Sequence, residues 1–317
     1  MSVRSNFTGF VDIDNRGFLL IKGPDAKKFL QGQVTCDINQ LGIEQRFSLS
    51  TLGAHCTHKG RMLFSFRVCA LSEDSLLLSI VTSLIADALA ALKKYSVFSK
   101  VDISDVSEQY RHIGYIGKQV EALPPELPQQ TQAVEVNQAL HHDHGVVIKT
   151  AHKQYEYWLT PEAAEQLTSN SHPLGDHQTW TAMAIVSGMG EVRPETVEEF
   201  IPQMLNFQAV GEAISFSKGC YTGQEVVARM KYLGKLKRHM YRLACSSDTT
   251  MMPGMALYSP TGRQSIGKVV IAQRVDDRYE FLAVSTQEAV EADAVYLDEA
   301  CQKKVQILTL PYAINKE

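Results

Sequence analysis

The sequence predicts an α+β protein that ends in an all-β segment. Strand-like and helix-like patterns are mixed up to about residue 236, whereas beyond Arg238 the apolar runs are short and are separated by glycine, proline and acidic turns. The chain has 317 residues and is 44% hydrophobic, which is enough to bury more than one core. We therefore expect an α+β region over residues 1–236 and an all-β domain over residues 237–317.

In the first region, strands and helices follow one another without a detectable internal repeat. Apolar runs bounded by turn residues predict strands over residues 17–22, 62–68, 76–81, 113–116, 146–149 and 155–159. Helical spacing of apolar residues, or start signals such as Thr160-Pro161, predict helices over residues 24–31 and 84–92, after residue 160 and around residues 180–187. The proline-rich segment 124–130 predicts a loop and a weak domain boundary.

The tail contains short apolar runs at near-regular spacing. Several short strands separated by turns are typical of a small barrel or a sandwich. The runs cover residues 239–243, 269–272, 279–284 and 305–308.

Composition and charge argue against several classes of protein. The six cysteines are scattered and the first residues lack the apolar core of a signal peptide, so we expect a cytoplasmic protein. No stretch reaches the roughly 20 apolar residues that a membrane span needs. The net charge of −4 argues against a surface that is basic throughout, and only residues 229–242 are locally basic. Without a Walker loop or a G-x-G-x-x-G motif, no ATP or NAD site is expected.

The segment Lys218–Glu225 places one cysteine between two glycines just ahead of a helix-start signal. Thr222 and Glu225 have the spacing of a capping box, which predicts that a helix begins near Gly223. The positive end of that helix, with six basic residues against one acid between residues 217 and 238, would favour the thiolate of Cys220. Cys220 is therefore a candidate reactive thiol. The alternative is a buried structural cysteine at a glycine-rich turn.

Two clusters contain histidine, but we predict no metal site in either. The segment 141–144 is more typical of a solvated loop, because adjacent residues in an irregular segment rarely converge on one ion. His55, Cys56 and His58 supply only part of the four-ligand set that a structural site needs. The cysteines also lack the close spacing of ferredoxin-type clusters, so any iron–sulfur chemistry is expected on another protein.

The segment 218–225 and its approach, residues 200–206 and 213–217, resemble the signature of the YgfZ family. Members of this family are bacterial folate-binding proteins, homologous to the T-protein (aminomethyltransferase) of glycine cleavage. They are implicated in iron–sulfur cluster maintenance and in tRNA modification. The resemblance extends over nearly the whole chain, and its other matches are residues 31–35, 55–56, 59–60, 94–101 and 310–312.

This resemblance implies a fold. It is a T-protein-like folate-binding fold of two interlocked α+β subdomains, one of which includes about residues 43–100. A C-terminal antiparallel β-barrel follows these subdomains.

The resemblance also implies where folate binds. T-protein relatives use a carboxylate at a position that falls on Phe64 and Ser65 here, so classical aminomethyltransferase activity is not expected. The family's folate-associated tryptophan falls on Trp180, which on its own pattern would be an ordinary core residue. A second such tryptophan falls near Arg16, whose guanidinium can stack on a flat ring or hold a carboxylate. Trp180 and Arg16 are the expected folate-binding residues.

Each residue of the signature has an expected role. Lys218 supports the thiol electrostatically, and Tyr221 forms a wall of the folate cavity. Gly219 and Gly223 permit tight turns. The residues that hold the helix start or face a partner are Gln224 and Glu225.

Three functions follow from these expectations. The leading hypothesis is a folate-binding accessory protein, with tetrahydrofolate or a derivative as ligand, that supports iron–sulfur enzymes and thereby tRNA modification. Its partners would be iron–sulfur assembly factors or client enzymes. The second hypothesis is a folate-dependent one-carbon transferase or demethylase on an unknown substrate. The third is a protein that binds tRNA directly through the basic run after Arg229.

Overall fold

Two β-sheets and six α-helices make up the part of the chain described by the computed structural model. The described residues are 7–117, 134–151, 154–169, 174–210, 212–232, 234, 236–246, 250–260 and 264–314. The predicted loop at 124–130 lies outside them.

The strands fall into a large sheet of twelve and a small sheet of five. The large sheet contains β1 Gly9–Asp12, β2 Arg16–Lys22, β3 Ile43–Glu44, β4 Phe47–Cys56, β5 Met62–Ser72, β6 Ser75–Val81, β7 Asp102–Asp105, β8 Arg111–Ile116, β9 Gln138–His142, β10 Gly145–Ala151, β11 Gln154–Leu159 and β12 Leu174–Gly175. The small sheet contains β13 Arg238–Cys245, β14 Ala256–Leu257, β15 Gly267–Val275, β16 Arg278–Thr286 and β17 Gln306–Leu308.

The helices are short and lie between strands. They are α1 Ala26–Gln31, α2 Ile85–Lys93, α3 Pro161–Ser169, α4 His177–Val186, α5 Gln224–Tyr232 and α6 Gln287–Glu291. Each sequence-predicted helix is therefore confirmed, with boundaries that move by a few residues.

Strand β4 joins two halves of the large sheet. The strand order is β12-β1-β8-β11-β10-β9-β4-β5-β6-β2-β7, with β3 beside β4. The first three residues of β4 pair with β9, and the rest of the strand pairs with β5. One half contains β1 and β8 to β12, and the other half contains β2 and β5 to β7, while β3 and β4 lie where the halves meet. The chain therefore begins in the first half, passes through the second half, and returns to the first. The division into two interlocked subdomains stays a prediction.

The sequence pattern did not predict β4, because polar residues of this strand are buried and an apolar residue between them is exposed. Ser48 and Ser50 are buried, while Leu49 between them is 42% exposed. Buried serines in a strand can be accommodated when their hydroxyls find partners, and Ser48 contacts His141 Nε2 at 2.8 Å. His141 itself lies in β9, so the solvated loop expected over residues 141–144 is instead a strand end and the β9–β10 hairpin.

The small sheet contains the strands that the tail predicted. Its order is β14-β15-β16-β13-β17, and the pairings are antiparallel. Single-residue bridges join Tyr258 to Tyr296 and Tyr296 to Lys304, beyond the outer strands. Complete closure into a barrel, and a domain boundary at residue 236, stay predictions.

The main core includes side chains from both sheets. Phe64 and Leu78 of the large sheet belong to the same buried cluster as Ile271 and Leu282 of the small sheet. A second, smaller core lies on the other side of the small sheet and includes Phe281. Among the described residues, none of the helices combines the length and the apolar character needed to cross a membrane.

Candidate functional site

A central cavity lies where both halves of the large sheet meet α4. Its volume is about 70 Å³, and most of its charged walls come from strand residues. The lining side chains include Arg16, Ser65, Arg67, His112, Gln154, Glu156, Trp180 and Glu191.

One wall of the cavity is a buried charge network around Glu156. Its carboxylate lies 3.4 Å from Arg67 Nε and 3.1 Å from His112 Nε2, and it accepts a hydrogen bond of 3.2 Å from Trp158 Nε1. Burial acts to raise the pKa of Glu156, but Arg67 and His112 outweigh it and lower that pKa to about 2. Burial lowers the pKa of His112 despite the opposing effect of Glu156. The network therefore holds an ionised carboxylate at neutral pH.

A second charge cluster closes another side of the cavity. Glu191 forms ion pairs with both Arg16 and Arg193, and its side chain is 12% exposed. Burial acts to raise the pKa of Glu191, but the two guanidinium groups lower that pKa by more than burial raises it, so the net shift is downward. Arg16 thus enters the cavity as one half of an ion pair.

Trp180 forms the aromatic wall. It lies on α4, which begins after Asp176, whose side chain accepts from the Thr179 amide at 3.0 Å. The indole lies against Gly114 of β8, where an added Cβ would come within 2.5 Å of the ring. A glycine at this strand position therefore makes the space in which the indole sits.

The structure brings together the two sequence-predicted folate residues and adds two carboxylates that the sequence did not indicate. Arg16 and Trp180 both line the cavity. Glu156 was hidden in a strand whose other residues are mainly apolar or aromatic, and Glu191 lies in the irregular segment after α4. Only the three-dimensional pairing with arginine reveals them.

The structure also shows the surroundings of Phe64 and Ser65, the two residues on which the resemblance predicts that the T-protein carboxylate falls. Phe64 is buried in the main core, and Ser65 lines the cavity. The Ser65 hydroxyl accepts a hydrogen bond of 2.9 Å from the Val192 amide. Neither side chain supplies a carboxylate there.

The signature segment lies elsewhere, and none of its residues lines the central cavity. Cys220 is exposed. Lys218 points inward, where its ammonium donates to the carbonyls of Val34 at 2.8 Å and Cys36 at 2.6 Å. Burial lowers the pKa of Lys218 to about 8, although Cys36 acts in the opposite direction. Tyr221 is buried in the main core rather than in a cavity wall, with Lys218 Nζ 5.1 Å from its ring centroid.

The helix that follows begins at Gln224, as the sequence predicted within one residue, but its start is held differently. Thr222 Oγ1 lies 3.4 Å from Gln33 Oε1, which takes the place of the expected capping box with Glu225. Gly223 has φ +84°, and a Cβ there would lie 2.6 Å from the Thr57 carbonyl oxygen. Gly219 shows no such constraint, because no atom of the described residues lies within 4 Å of an added Cβ. Gln224 Nε2 donates to the Gly219 carbonyl at 3.4 Å and closes the segment.

A second, larger space of about 580 Å³, the wide groove, adjoins the signature. It is lined by Ser50 and Asn137, both of which face Arg67 Nη1, at 3.3 and 3.5 Å. Arg67 also lines the central cavity, so one guanidinium contacts residues of both spaces. On its other side the groove is lined by Phe216, over which Lys231 Nζ lies 3.8 Å from the centroid.

Comparison with curated proteins decides the family. The chain is 32% identical to tRNA-modifying protein YgfZ of Photorhabdus laumondii over 97% of this chain and 93% of that protein. It is 35% identical to the protein of the same name from Photobacterium profundum, over 88% of each chain. The chain belongs to the YgfZ family. None of the protein-family models searched matches the chain.

A solved structure confirms the fold of this YgfZ-family chain. The glycine cleavage system aminomethyltransferase T from Bartonella henselae superposes with a TM-score of 0.71 over 98% of this chain and 88% of that one. The sequence identity of that pair is 13%, so the likeness establishes a T-protein-like fold.

Proposed function

We propose that this YgfZ-family protein binds a reduced folate in the central cavity and acts as an accessory protein for iron–sulfur enzymes, including enzymes that modify tRNA. The observation that carries the proposal is that Trp180 and Arg16 both line one cavity, which also contains charged side chains, in a T-protein-like fold. The curated relatives are named tRNA-modifying proteins, which supports the link to tRNA.

The donor set of the cavity suits a folate. A pterin is flat and has hydrogen-bond donors and acceptors on its edge, so it pairs well with an aromatic face and with carboxylates. Trp180 offers the face, and Glu156 and Glu191 are ionised acceptors. Arg67 lines the same cavity as the ion-pair partner of Glu156, with Nε 3.4 Å from that carboxylate, and so places a cation beside the acceptors. A reduced folate would bring its capacity to carry one-carbon units on N5 and N10.

The volume of the cavity sets a condition on binding. Ligand pockets usually measure about 300–1,000 Å³, whereas this cavity measures about 70 Å³. A folate can therefore enter only if the walls move. The half-buried Trp180 and the Arg16–Glu191 pair are the walls that can yield with least disruption, because they are not part of the main core.

The charges of the cavity argue for a binding role rather than for transfer of an aminomethyl group. A general acid or base works best when its pKa lies near the operating pH. The two carboxylates of the cavity have lowered pKa values because each is paired with arginine, and Ser65, on which the sequence resemblance predicts that the T-protein carboxylate falls, also lines the cavity. The exposed Cys220 would then serve partners, iron–sulfur assembly factors or client enzymes, from outside the cavity.

A tryptophan fluorescence titration with tetrahydrofolate tests the binding. The protein has two tryptophans, and Trp158 is fully buried. We expect saturable quenching in the parent protein that is lost in Trp180→Leu. Arg16→Gln should weaken binding about tenfold or more, because it removes a charge-assisted contact. Arg111→Gln is the matched control, since Arg111 forms an exposed ion pair with Asp12 and does not line the cavity.

Calorimetry with the same ligand decides the outcome. Absence of saturable heat in the parent protein would contradict folate binding. Equal affinities for Arg16→Gln and Arg111→Gln would remove Arg16 from the site.

The accessory role needs a cellular test. In cells that lack this protein, the activity of an iron–sulfur tRNA-modifying enzyme should fall and should be restored by the parent gene. Trp180→Leu and Cys220→Ala should restore it poorly. Full restoration by Cys220→Ala would show that the thiol is dispensable.

A further inference from the structure

The segment Lys93–Lys100 consists of the last residue of α2 and the turns that follow, and is here called the lysine–aromatic loop. It holds large apolar side chains in solvent. Phe98 is 100% exposed, Val97 76% and Tyr95 46%. Phe98 is the most exposed large hydrophobic side chain in the part of the chain that the structure describes. Single exposed apolar residues are common on proteins, but a group of three on one loop points to a function.

The loop is held in place by its backbone. The Lys100 amide donates to Asp25 Oδ2 at 2.8 Å, and the Asp25 amide donates to the Lys100 carbonyl at 3.4 Å. Gly23, with φ +139°, allows the close approach, since an added Cβ would lie 2.2 Å from the Lys100 carbonyl oxygen. Tyr95 packs against His55, with ring centroids 6.3 Å apart. The aromatic side chains are therefore presented by an ordered turn, which lowers the entropy cost of binding.

The loop is also strongly basic. Lys93, Lys94 and Lys100 are exposed, and residues 93–101 contain no acid, although the chain as a whole has a net charge of −4. Lys94 Nζ lies 5.8 Å from the centroid of the Tyr95 ring. Cations and aromatic rings thus share one small surface.

This chemistry favours RNA over a protein partner. Lysine is depleted in protein–protein interfaces, whereas aromatic rings interleaved with cations are typical of sites for single-stranded nucleic acid. Unpaired bases stack on exposed aromatic rings, and lysines neutralise the neighbouring phosphates. We propose that the lysine–aromatic loop binds unpaired RNA, with Phe98 stacked on a base and the three lysines on the backbone.

The other basic stretch of the chain, residues 229–242, fits this role less well. Lys231 lies over the Phe216 ring, and Arg242 is paired with Glu280. Its cations are thus partly engaged within the protein. The loop also contributes no residue to the central cavity, so RNA binding does not depend on the folate proposal.

Fluorescence anisotropy with a labelled oligouridine of about ten nucleotides tests the proposal, because that length suits one binding module. Phe98→Ala should weaken binding at least fivefold, the lower end for one stacked base. Replacing the three lysines with glutamine should flatten the plot of log affinity against log salt by about 2, at about 0.7 for each phosphate contact. Met252→Ala and Lys237→Gln, which change exposed side chains elsewhere, should bind as the parent does.

Each of four results would overturn the proposal. One is that the parent protein does not bind at low salt. Another is that Phe98→Ala binds as tightly as the parent. A third is that Lys237→Gln abolishes binding, which would place the site on the other basic stretch. Binding of the parent to phosphatidylglycerol vesicles through Phe98, without binding to the oligonucleotide, would make the loop a membrane contact and would equally reject RNA. Thermal unfolding of each variant confirms its folding, which these exposed positions should leave intact.

Discussion

Glu156 shows how one residue sets the chemistry of the central cavity. A carboxylate in a buried strand is costly unless it is paired and hydrogen-bonded. Arg67, His112 and Trp158 surround this carboxylate, so its charge is retained. Because Arg67 is itself buried, the pair is interdependent: removal of either partner leaves an uncompensated charge.

Glu156→Gln should therefore destabilise the protein by about 3–5 kcal/mol at neutral pH. The folded pKa of about 2 lies below the ordinary value of 4.5, so the unfolded chain binds more protons between these values. The stability due to the carboxylate is fully present above pH 4.5 and is lost as the pH falls toward 2. Urea unfolding at neutral pH and at about pH 3 measures this dependence.

The difference between parent and variant should shrink at the lower pH. Glu44→Gln, at an exposed position, is the control and should change little at either pH. A difference that is the same at both pH values would show that Glu156 is not ionised in the folded protein.

At the scale of elements, the sequence predicted most helices and central strands but not how the site is assembled. Apolar periodicity was sufficient for α2, because its burial follows its pattern. It failed for β4, where serines are buried, and it could not show that β8 offers Gly114 to the Trp180 ring. The signature predicted the start of α5, while the contacts that hold this start come from residues far away in sequence, such as Gln33 and Gly32.

The two glycines of the signature differ in their surroundings, so replacement of Gly223 and of Gly219 by alanine should change the free energy of unfolding by different amounts. Gly223→Ala should cost about 2 kcal/mol or more, since the backbone is left-handed and the Cβ meets the Thr57 carbonyl oxygen. Gly219→Ala should stay within about 0.5 kcal/mol, because the space around it is open. Urea unfolding compares the two variants.

The same two variants test whether the turn at Gly223 affects the reactivity of the Cys220 thiol. If the Gly223 turn positions the loop, Gly223→Ala should change the rate at which Cys220 reacts with a thiol reagent more than Gly219→Ala does. Equal stabilities for the two variants would mean that the turn at Gly223 relaxes without cost.

In the molecule as a whole, hydrogen bonds and packing join the tail, residues 237–317, to the α+β region. Asn206 Nδ2 donates to the Met240 carbonyl at 2.8 Å. Tyr312 donates from its hydroxyl to the Gly188 carbonyl at 2.7 Å, and its ring fills the space that a Cβ on Gly188 would need. The shift of sequence character after Arg238 indicated a boundary, but the packing crosses it. Sequence composition indicates which secondary-structure elements a segment forms, but it does not indicate which hydrophobic core the side chains of those elements join.

Strand β16 makes this coupling testable, because its neighbouring residues face different cores. Leu282 belongs to the main core and Phe281 to the core of the small sheet. Since one sheet contributes to both cores, we expect a single unfolding transition by calorimetry, with equal calorimetric and van 't Hoff enthalpies. Leu282→Ala should cost about 2–5 kcal/mol and Phe281→Ala about 3–5 kcal/mol, and each should shift that one transition as a whole. If Phe281→Ala instead produced a separate early transition while Leu282→Ala did not, the small sheet would be an independent folding unit, and the shared core would contribute little to cooperativity.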